Sequence, residues 1–503
     1  MSPGAIALLL MVVYLAVALA VGILAGRGQS SWSINEYAVG GRGLGLVVMW
    51  FLMGSTIFSA FSFLGGPGWA FSRGAAALYI LGYVALGLLP WYVIGPRAAR
   101  IGRVRNYFSM GDFLRDHYRS RAVATVIGVV AVLAFIQYLT LQLKGVAYIF
   151  NVMTGGLVPF WAGALVAYGI VLIYVVTGGV RAAAWSDVVQ GALMLVIAWV
   201  VGLWLVYYLH GGPADMFAAI SEQRPGFLTI GKDGSQISAT AFSTALLVSA
   251  IGFIMWPHLF MKSFTTSERR IKQVVISYPL FAIFLVPVLF IGFSAVTEVS
   301  PDAVAAADQI LPYMVTEVLP VGPVVFGIIG AGALAAAMSS ADAITHGASV
   351  TFTRDVVYPY RPQMTERSQV WIMRLAVVAV GALAYLLTLF GGQGLIALLL
   401  GAYGSIAQFA PAVYGALFWR RASAAGALAG LVAGVGVNFY YTLWATSTPA
   451  DIHAGILGLV VNVVVFVAVS LLTRPAPAPE LGDMDTTATA SETSGAYGAG
   501  QPE

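Results

Sequence analysis

Apolar stretches of about 20 residues recur from end to end of this chain, and a helix of that length spans the hydrocarbon of a bilayer. Segments long enough to do so occupy residues 5–24, 44–71, 75–93, 122–150, 158–176, 188–209, 239–260, 274–296, 321–352, 370–390, 395–418, 424–444 and 456–472. The expected fold is an all-α polytopic membrane protein with about 13 transmembrane helices. Composition agrees, because 59% of the 503 residues are hydrophobic and 9% are charged, against about 25% charged in a soluble domain. That leaves no length for a separate catalytic domain. With no cysteine and five scattered histidines, disulfides, thiolate metal sites and HExxH-type zinc ligands are excluded. No GxxxxGK[ST] phosphate loop occurs, so an ion gradient rather than ATP is the expected energy source.

Lysine and arginine mark the cytoplasmic side of membrane proteins. With the N-terminus outside, 21 of the 25 fall on the inner side: Arg27, Arg42, seven arginines between Pro96 and Arg121, Arg181, four basic residues from Lys262 to Lys272, and seven more from Arg354 to Arg474. Arg73, Arg224 and Lys232 fall outside, and Lys144 lies within a helix. The expected orientation is N-out/C-in, in a cell inner or plasma membrane. The formal charge of +4 belongs to loops and not to a nucleic-acid surface. A lipid bilayer is the evident large partner, and nothing in the sequence requires an obligate protein partner. The first apolar run lacks a basic leader and reads as a retained helix. The tail, residues 474–503, is rich in Pro, Ala, Thr, Ser and Gly and is expected to be disordered and cytoplasmic.

Two segments look interrupted. The second carries Gly54-Ser55-Thr56 and then Gly65-Gly66-Pro67-Gly68-Trp69, and the seventh carries Gly252 and then Trp256-Pro257-His258. Freed backbone groups are costly in hydrocarbon unless they line a cavity or bind an ion. Helices two and seven are five apart, an odd number, so five-helix units over 44–209 and 239–418 would begin on opposite faces. Such inverted repeats, each led by a broken helix, point to a secondary transporter with its site near the midplane. Residues 1–43 would hold the first helix and a cytoplasmic loop, and 419–473 two peripheral helices. The plainer alternative is a pair of kinks relieved by neighbouring side chains.

Charges within membrane segments are functional candidates by default. Asp187 opens helix six and Asp342 follows a serine pair in helix nine; Lys144 lies in the outer part of helix four. Asp187 could instead cap its helix, and Lys144 could reach the outer interface. In LAAAMSSADA, Ala336, Ser339 and Ser340 share one helix face at i, i+3 and i+4. Two hydroxyls and a carbonyl are neutral hard ligands for a small cation, to be completed by carbonyls of the broken helix two. Serines in a membrane helix also back-bond to their own helix or allow close packing.

The segments TGGVRAAAWSDVVQG, GIIGAGALAAAMSSADA and FSFLGGPGWAFSRG resemble the sodium:solute symporter family, over roughly helices two to eleven. The resemblance implies a LeuT-type arrangement of inverted five-helix repeats and sodium as coupling ion. It implies sodium ligands at the carbonyls of Ser55, Phe58 and Ala336 and the hydroxyls of Ser339 and Ser340. It also implies a coupling role for Asp187. Two departures count: Asp342 stands where members with a second sodium site have serine, and Ile57 stands where proline carriers have an aspartate. A second sodium site and proline as substrate are both weakened, and a proton competes with sodium as the coupling ion at Asp187 and Asp342.

For a solute, the available groups are Trp69, Tyr79, Gln137, Tyr138, Gln142, Lys144, Trp256, His258, Tyr403 and Gln408. This set favours a small neutral or anionic molecule. The phrase GGPGWAFSRGAAALY looks most like the monocarboxylate branch, so lactate, pyruvate or a related acid is expected, with Lys144 or His258 facing its carboxylate. Proline, pantothenate and sugar remain alternatives. An ion channel would need a filter-like repeated segment, and a membrane enzyme a cluster of catalytic groups; neither is found.

Overall fold

The computed structural model describes residues 2–27, 32–392 and 395–477, and the expected disordered tail lies outside the described residues beyond 477. Seven helices come first: α1 Pro3–Gly26, α2 Ile34–Val39, α3 Leu46–Ile57, α4 Gly66–Arg73, α5 Tyr79–Gly87, α6 Trp91–Val104 and α7 Met110–Tyr118. Two long helices follow, α8 Arg121–Met153 and α9 Phe160–His210, then α10 Pro213–Gln223. The next group is α11 Ala239–Gly252, α12 Pro257–Met261, α13 Glu268–Ser277, α14 Pro279–Ala282, α15 Leu285–Ala295 and α16 Ile310–Tyr313. The chain closes with α17 Pro323–Thr351, α18 Glu366–Phe390, α19 Leu395–Ile406, α20 Ala410–Phe418, α21 Ala424–Leu443 and α22 Ala454–Leu472.

Among the described residues, ten helices are long and apolar enough to cross a membrane, or up to twelve if each of two bent pairs is one span. The expected number is thirteen; one of the missing spans lies in α9, whose 51 residues take in most of the expected span 158–176 and all of 188–209. A straight helix of that length would run about 77 Å, more than twice the hydrocarbon thickness. The helix is not straight, because Gly179 has φ 55° and ψ −145°. Glycine alone visits that region without strain, and a Cβ there would lie 2.4 Å from the Tyr37 carbonyl oxygen.

Helix α17 is the axis of the molecule. Its most apolar window is 83% buried, against 28% for α22 and 33% for α1. It packs against α1, α3, α8, α9 and α18. Small residues in Gly327–Ala343 let these backbones approach closely, the usual source of helix association where lipid is as apolar as the side chains. Helices α21 and α22 pack chiefly on each other.

Both interruptions are present, and one sits elsewhere than its glycines. Helix α3 runs through Gly54, Ser55 and Thr56 and stops at Ile57; Phe58 has φ −83° and ψ 79°. The chain resumes in a π-turn over Phe61–Gly65. Pro67 stands in the first turn of α4, where its missing N–H removes no helix bond. The second interruption bends the chain by 43° between Ala239–Met255 and Pro257–Phe264, at Trp256. Gly179→Ala should lower stability by roughly 1–3 kcal/mol from backbone strain alone, read as a fall in melting temperature of the detergent-solubilised protein. An unchanged melting temperature would show that the break tolerates a side chain.

Candidate functional site

A helix that stops inside a membrane protein leaves carbonyls at its end and N–H groups at the next start. At the α3 break most of these find partners. The Gly54 carbonyl accepts from Phe58 N at 3.2 Å, and the Ile57 carbonyl from Ser59 N at 3.1 Å and from Ser62 Oγ at 3.3 Å. The Ser55 carbonyl accepts from Ser339 Oγ at 3.1 Å, and the Thr56 carbonyl from Ser340 Oγ at 2.7 Å. Beyond the break, Ala60 N donates to Gln142 Oε1 at 3.0 Å and Phe61 N to Ser59 Oγ at 3.2 Å. The serine pair of α17 and the glutamine of α8 are what make this break tolerable.

Ser339 Oγ also lies 3.1 Å from the Ala336 carbonyl. The structure therefore brings together Ser55, Ala336, Ser339 and Ser340, and adds Thr56, which the sequence did not suggest. Phe58 is fully buried at the break. The carbonyls of Ser55, Thr56 and Ala336 and two hydroxyls form a neutral oxygen set drawn from α3 and α17. Such hard oxygen donors suit a small alkali cation.

Two acidic side chains are buried beside them. Asp187 is fully buried and both its carboxylate oxygens lack a hydrogen-bond partner. It lies beside the Ser55 and Thr56 hydroxyls and within Coulombic range of Asp342 and Lys262. Those hydroxyls already donate to the carbonyls of Phe51 and Leu52, so they cannot satisfy it. Asp342 is also fully buried; its Oδ2 accepts from Tyr174 Oη at 2.9 Å while Oδ1 has no partner. Unpaired buried carboxylate oxygens are costly and mark a place where a cation is stabilised. The donor set and the charge together fit sodium.

Lys262 is the basic side chain buried in the same region. It is buried, and its Nζ donates to the Leu52 carbonyl at 2.6 Å and to Thr56 Oγ1 at 2.8 Å. The turn that follows α12 is thereby tied to α3. Charge-pattern reasoning counts Lys262 among loop residues; the available signal is its place four residues after His258, within the apolar run FIMWPHLFMK. Gln190, with both amide atoms unpartnered, is a second buried polar group that sequence reasoning missed.

The aromatic candidates form one connected group. Trp256, at the second break, lies 5.0 Å from Tyr138, 5.7 Å from Tyr403 and 5.6 Å from His258, ring centre to ring centre. Tyr403 meets Tyr83 at 5.7 Å, Tyr83 meets Tyr79 at 5.6 Å, and Tyr79 meets Trp69 at 5.4 Å. Polar atoms without partners in this region are Trp256 Nε1, Tyr79 Oη, Tyr278 Oη, Gln142 Nε2 and His258 Nδ1. Tyr83 and Tyr278 were missed; Tyr83 was findable as the i+4 neighbour of Tyr79. Lys144 Nζ donates to the Gly391 carbonyl, joining α8 to the segment after α18. Gln408 donates to the carbonyls of Gly404 and Gly455 and accepts from Asn462, which fastens α22 rather than facing the aromatic group. Gln137 is half-buried on α8.

The model of the family described as "Sodium:solute symporter family" matches residues 37–434. An uncharacterized symporter of Bacillus subtilis, YhjB, is 33% identical over 90% of this chain and 94% of its own length. The sodium/pantothenate symporter of Escherichia coli is 30% identical over 84% of this chain and 88% of its own. A monocarboxylate transport permease of Rhizobium johnstonii is 26% identical over 89% and 92%. Among solved structures, a Na+-coupled sialic acid symporter in a substrate-bound outward-open state superposes with a TM-score of 0.77 at 18% identity. It covers 94% of this chain and 99% of that one, and the likeness establishes a shared fold.

Replacing Lys262 with Met deletes two hydrogen bonds and leaves the carboxylates without their internal counter-charge. Removing one member of a buried charge group costs about 3–5 kcal/mol. The expected outcome is a large fall in melting temperature for K262M and a smaller one for D187N/K262M, with the cycle showing coupling. Strictly additive shifts would mean that Lys262 does not balance Asp187.

Proposed function

Because this chain belongs to the sodium:solute symporter family, we propose that it couples the entry of sodium to the uptake of a small organic acid. The family and its relatives make it a transporter of small solutes and not an enzyme, a multi-pass protein of the plasma membrane that uses sodium. The finer reading has thirteen passages, with α9 counted as two on either side of Gly179, an outside N-terminus and an inside C-terminus. Its transport core is two inverted five-helix repeats, 44–209 and 239–418, flanked by 1–43, 419–473 and the tail 474–503.

The observation that carries the reading is the pair of hydroxyl contacts from α17 to the carbonyls at the α3 break, beside carboxylate oxygens that have no partner. In this reading Ser55, Thr56, Ala336, Ser339 and Ser340 hold sodium, Phe58 borders it, and Asp187 supplies the attracting charge. Every contact bridges two helices. A cation that takes over these oxygens pulls α3 towards α17, and its departure leaves them to hydrogen bonds alone, so ion occupancy and the geometry of the break are linked. The solute lies against the broken segments, within the aromatic group of Tyr79, Tyr138, Trp256 and Tyr403.

An acid is favoured by the chemistry of the unpartnered atoms. Trp256 Nε1 and Gln142 Nε2 are donors only, and the Tyr79 hydroxyl can donate. No carboxylate belongs to that aromatic group, so a carboxylate solute is matched by neutral donors. The names of two relatives, pantothenate and monocarboxylate carriers, fall in the same chemical class. In a second reading a proton accompanies or replaces sodium, favoured by Asp342, which pairs with Tyr174 and keeps one oxygen open.

Uptake into proteoliposomes, with sodium and proton gradients imposed separately and a panel of labelled small acids, amino acids and sugars, tests substrate class and coupling together. Sodium-driven accumulation of an acid is expected; accumulation driven only by protons would replace the first reading by the second. S339A/S340A should raise the sodium concentration for half-maximal uptake by about tenfold or more, since each lost ligand is worth about a hydrogen bond to a charged group. Unchanged sodium activation would remove the serines from the ion site. Trp256→Phe keeps the ring and removes one donor, so KM for the acid should rise roughly five- to twentyfold with the sodium response intact. Asp342→Asn should flatten the pH profile of uptake if a proton is handled there, and an unaltered profile would leave sodium as sole coupling ion.

A further inference from the structure

Away from the ion and solute region, the segment between α6 and α8 builds a cavity of about 600 Å³ with an unusual lining. Five arginines face it: Arg105, Arg115, Arg119, Arg121 and Arg354. Its acidic lining consists of Asp112 and Asp116, which leaves an excess of three positive charges. Both carboxylates are already committed. Asp112 takes two bonds from Arg354 at 2.9 and 3.0 Å, one from Arg115 at 2.9 Å and one from Phe108 N at 3.1 Å. Asp116 binds Arg119 at 3.1 Å, sits 3.5 Å from Arg105, and accepts the Tyr107 hydroxyl.

The guanidinium groups are not used up by these bonds. Each carries five N–H donors, while Arg115 and Arg119 each spend one on a carboxylate. Among the described residues, Arg121 pairs with no carboxylate. Arg354 is held against the Tyr358 ring at 4.0 Å and buried, so it anchors the wall while Arg119 and Arg121 remain exposed at the rim. Burial and the neighbouring Asp116 push the Tyr107 phenol above its ordinary range, so its one proton stays committed to Asp116 and the arginines are the donors left to the cavity. Two lining residues, Asn106 and Arg119, hold positive φ of 56° and 50°. That is an uncommon backbone for a side-chain-bearing residue, and both turns border the cavity.

The position relative to the lipid-facing surface is informative. Val104, next to Arg105, is 60% exposed and Val129 of α8 is 44% exposed. Val129 lies eight residues beyond Arg121, about 12 Å along the helix. Exposed apolar side chains thus begin next to Arg105 and within about 12 Å of Arg121 along α8.

We propose that this cavity binds a phosphate-bearing anion, with the headgroup of an anionic phospholipid as its source. Arginine forks match phosphate oxygens in pairs, acidic lipids concentrate at such basic membrane surfaces, and an excess of donors over acceptors is what an anion requires. The bound headgroup would join α7, the start of α8 and the segment after α17 in one contact.

The test is thermal melting of the full chain in neutral detergent, titrated with phosphatidylglycerol, phosphatidylcholine or inorganic phosphate. Phosphatidylglycerol is expected to raise the melting temperature and phosphatidylcholine to leave it unchanged. R119Q/R121Q should need about tenfold more phosphatidylglycerol for the same rise, the loss of one to two charged contacts. R119K/R121K, which keeps the charge, checks that the site still folds and should fall between. R420Q/R421Q removes the same charge from another loop and should respond as the native chain does. A rise with inorganic phosphate but none with phosphatidylglycerol would keep the anion site and overturn its lipid source. Equal responses of the native chain and R119Q/R121Q, an equal loss in R420Q/R421Q, or no rise with either phosphate compound would overturn the proposal.

Discussion

Backbone polar groups have no water to turn to inside a bilayer, and every interruption of a helix there must be matched from elsewhere in the protein. The stop at Phe58 depends on five side chains. Ser339, Ser340 and Ser62 cover carbonyls on one side, and Gln142 and Ser59 cover N–H groups on the other. Three of the five come from helices distant in sequence, so the break depends on α17 and α8 packing against it. The same contacts that stabilise the break place oxygens from two helices around one point. The contacts that support the break are thus also the oxygen set proposed for sodium.

Charge follows the same logic. Asp187, Asp342 and Lys262 are all buried, in a chain with few charged residues to spare. One fixed lysine against two carboxylates leaves the region short of positive charge when both acids are ionised. An incoming cation corrects that shortfall. Lys262 does not itself fill the oxygen set; it is bonded one turn deeper, at Leu52 and Thr56. In the proposed reading it is a fixed neighbour of the ion site and not one of its ligands.

Much of this was legible in residue order. The apolar runs, the basic bias, the two interruptions, Ser339, Ser340 and Asp187 all rest on local patterns of spacing and hydropathy. Illegible parts involve partners far apart in sequence. Thr56 has no distinctive local pattern, and its part emerges only when Ser340, 284 residues away, meets its carbonyl. Lys262 read as a loop charge because the positive-inside count cannot tell a lysine at a membrane edge from one folded inward. Gln408 looked like a solute contact because an amide in an apolar run is ambiguous between binding and packing; its bonds to Gly404, Gly455 and Asn462 decide for packing.

Sequence alone determined the solvent of this protein, the helical class, the places where helices would be weak, and the residue types able to hold a small cation. Those properties depend on neighbours within one or two turns, and residue order carries them. The tertiary structure decided where the break falls and which carbonyls it frees. It also decided that Lys262 folds inward against α3, and that five arginines from the end of α6 to the segment after α17 share one cavity. These outcomes follow from which helices lie side by side, and that is settled by packing summed over the whole chain.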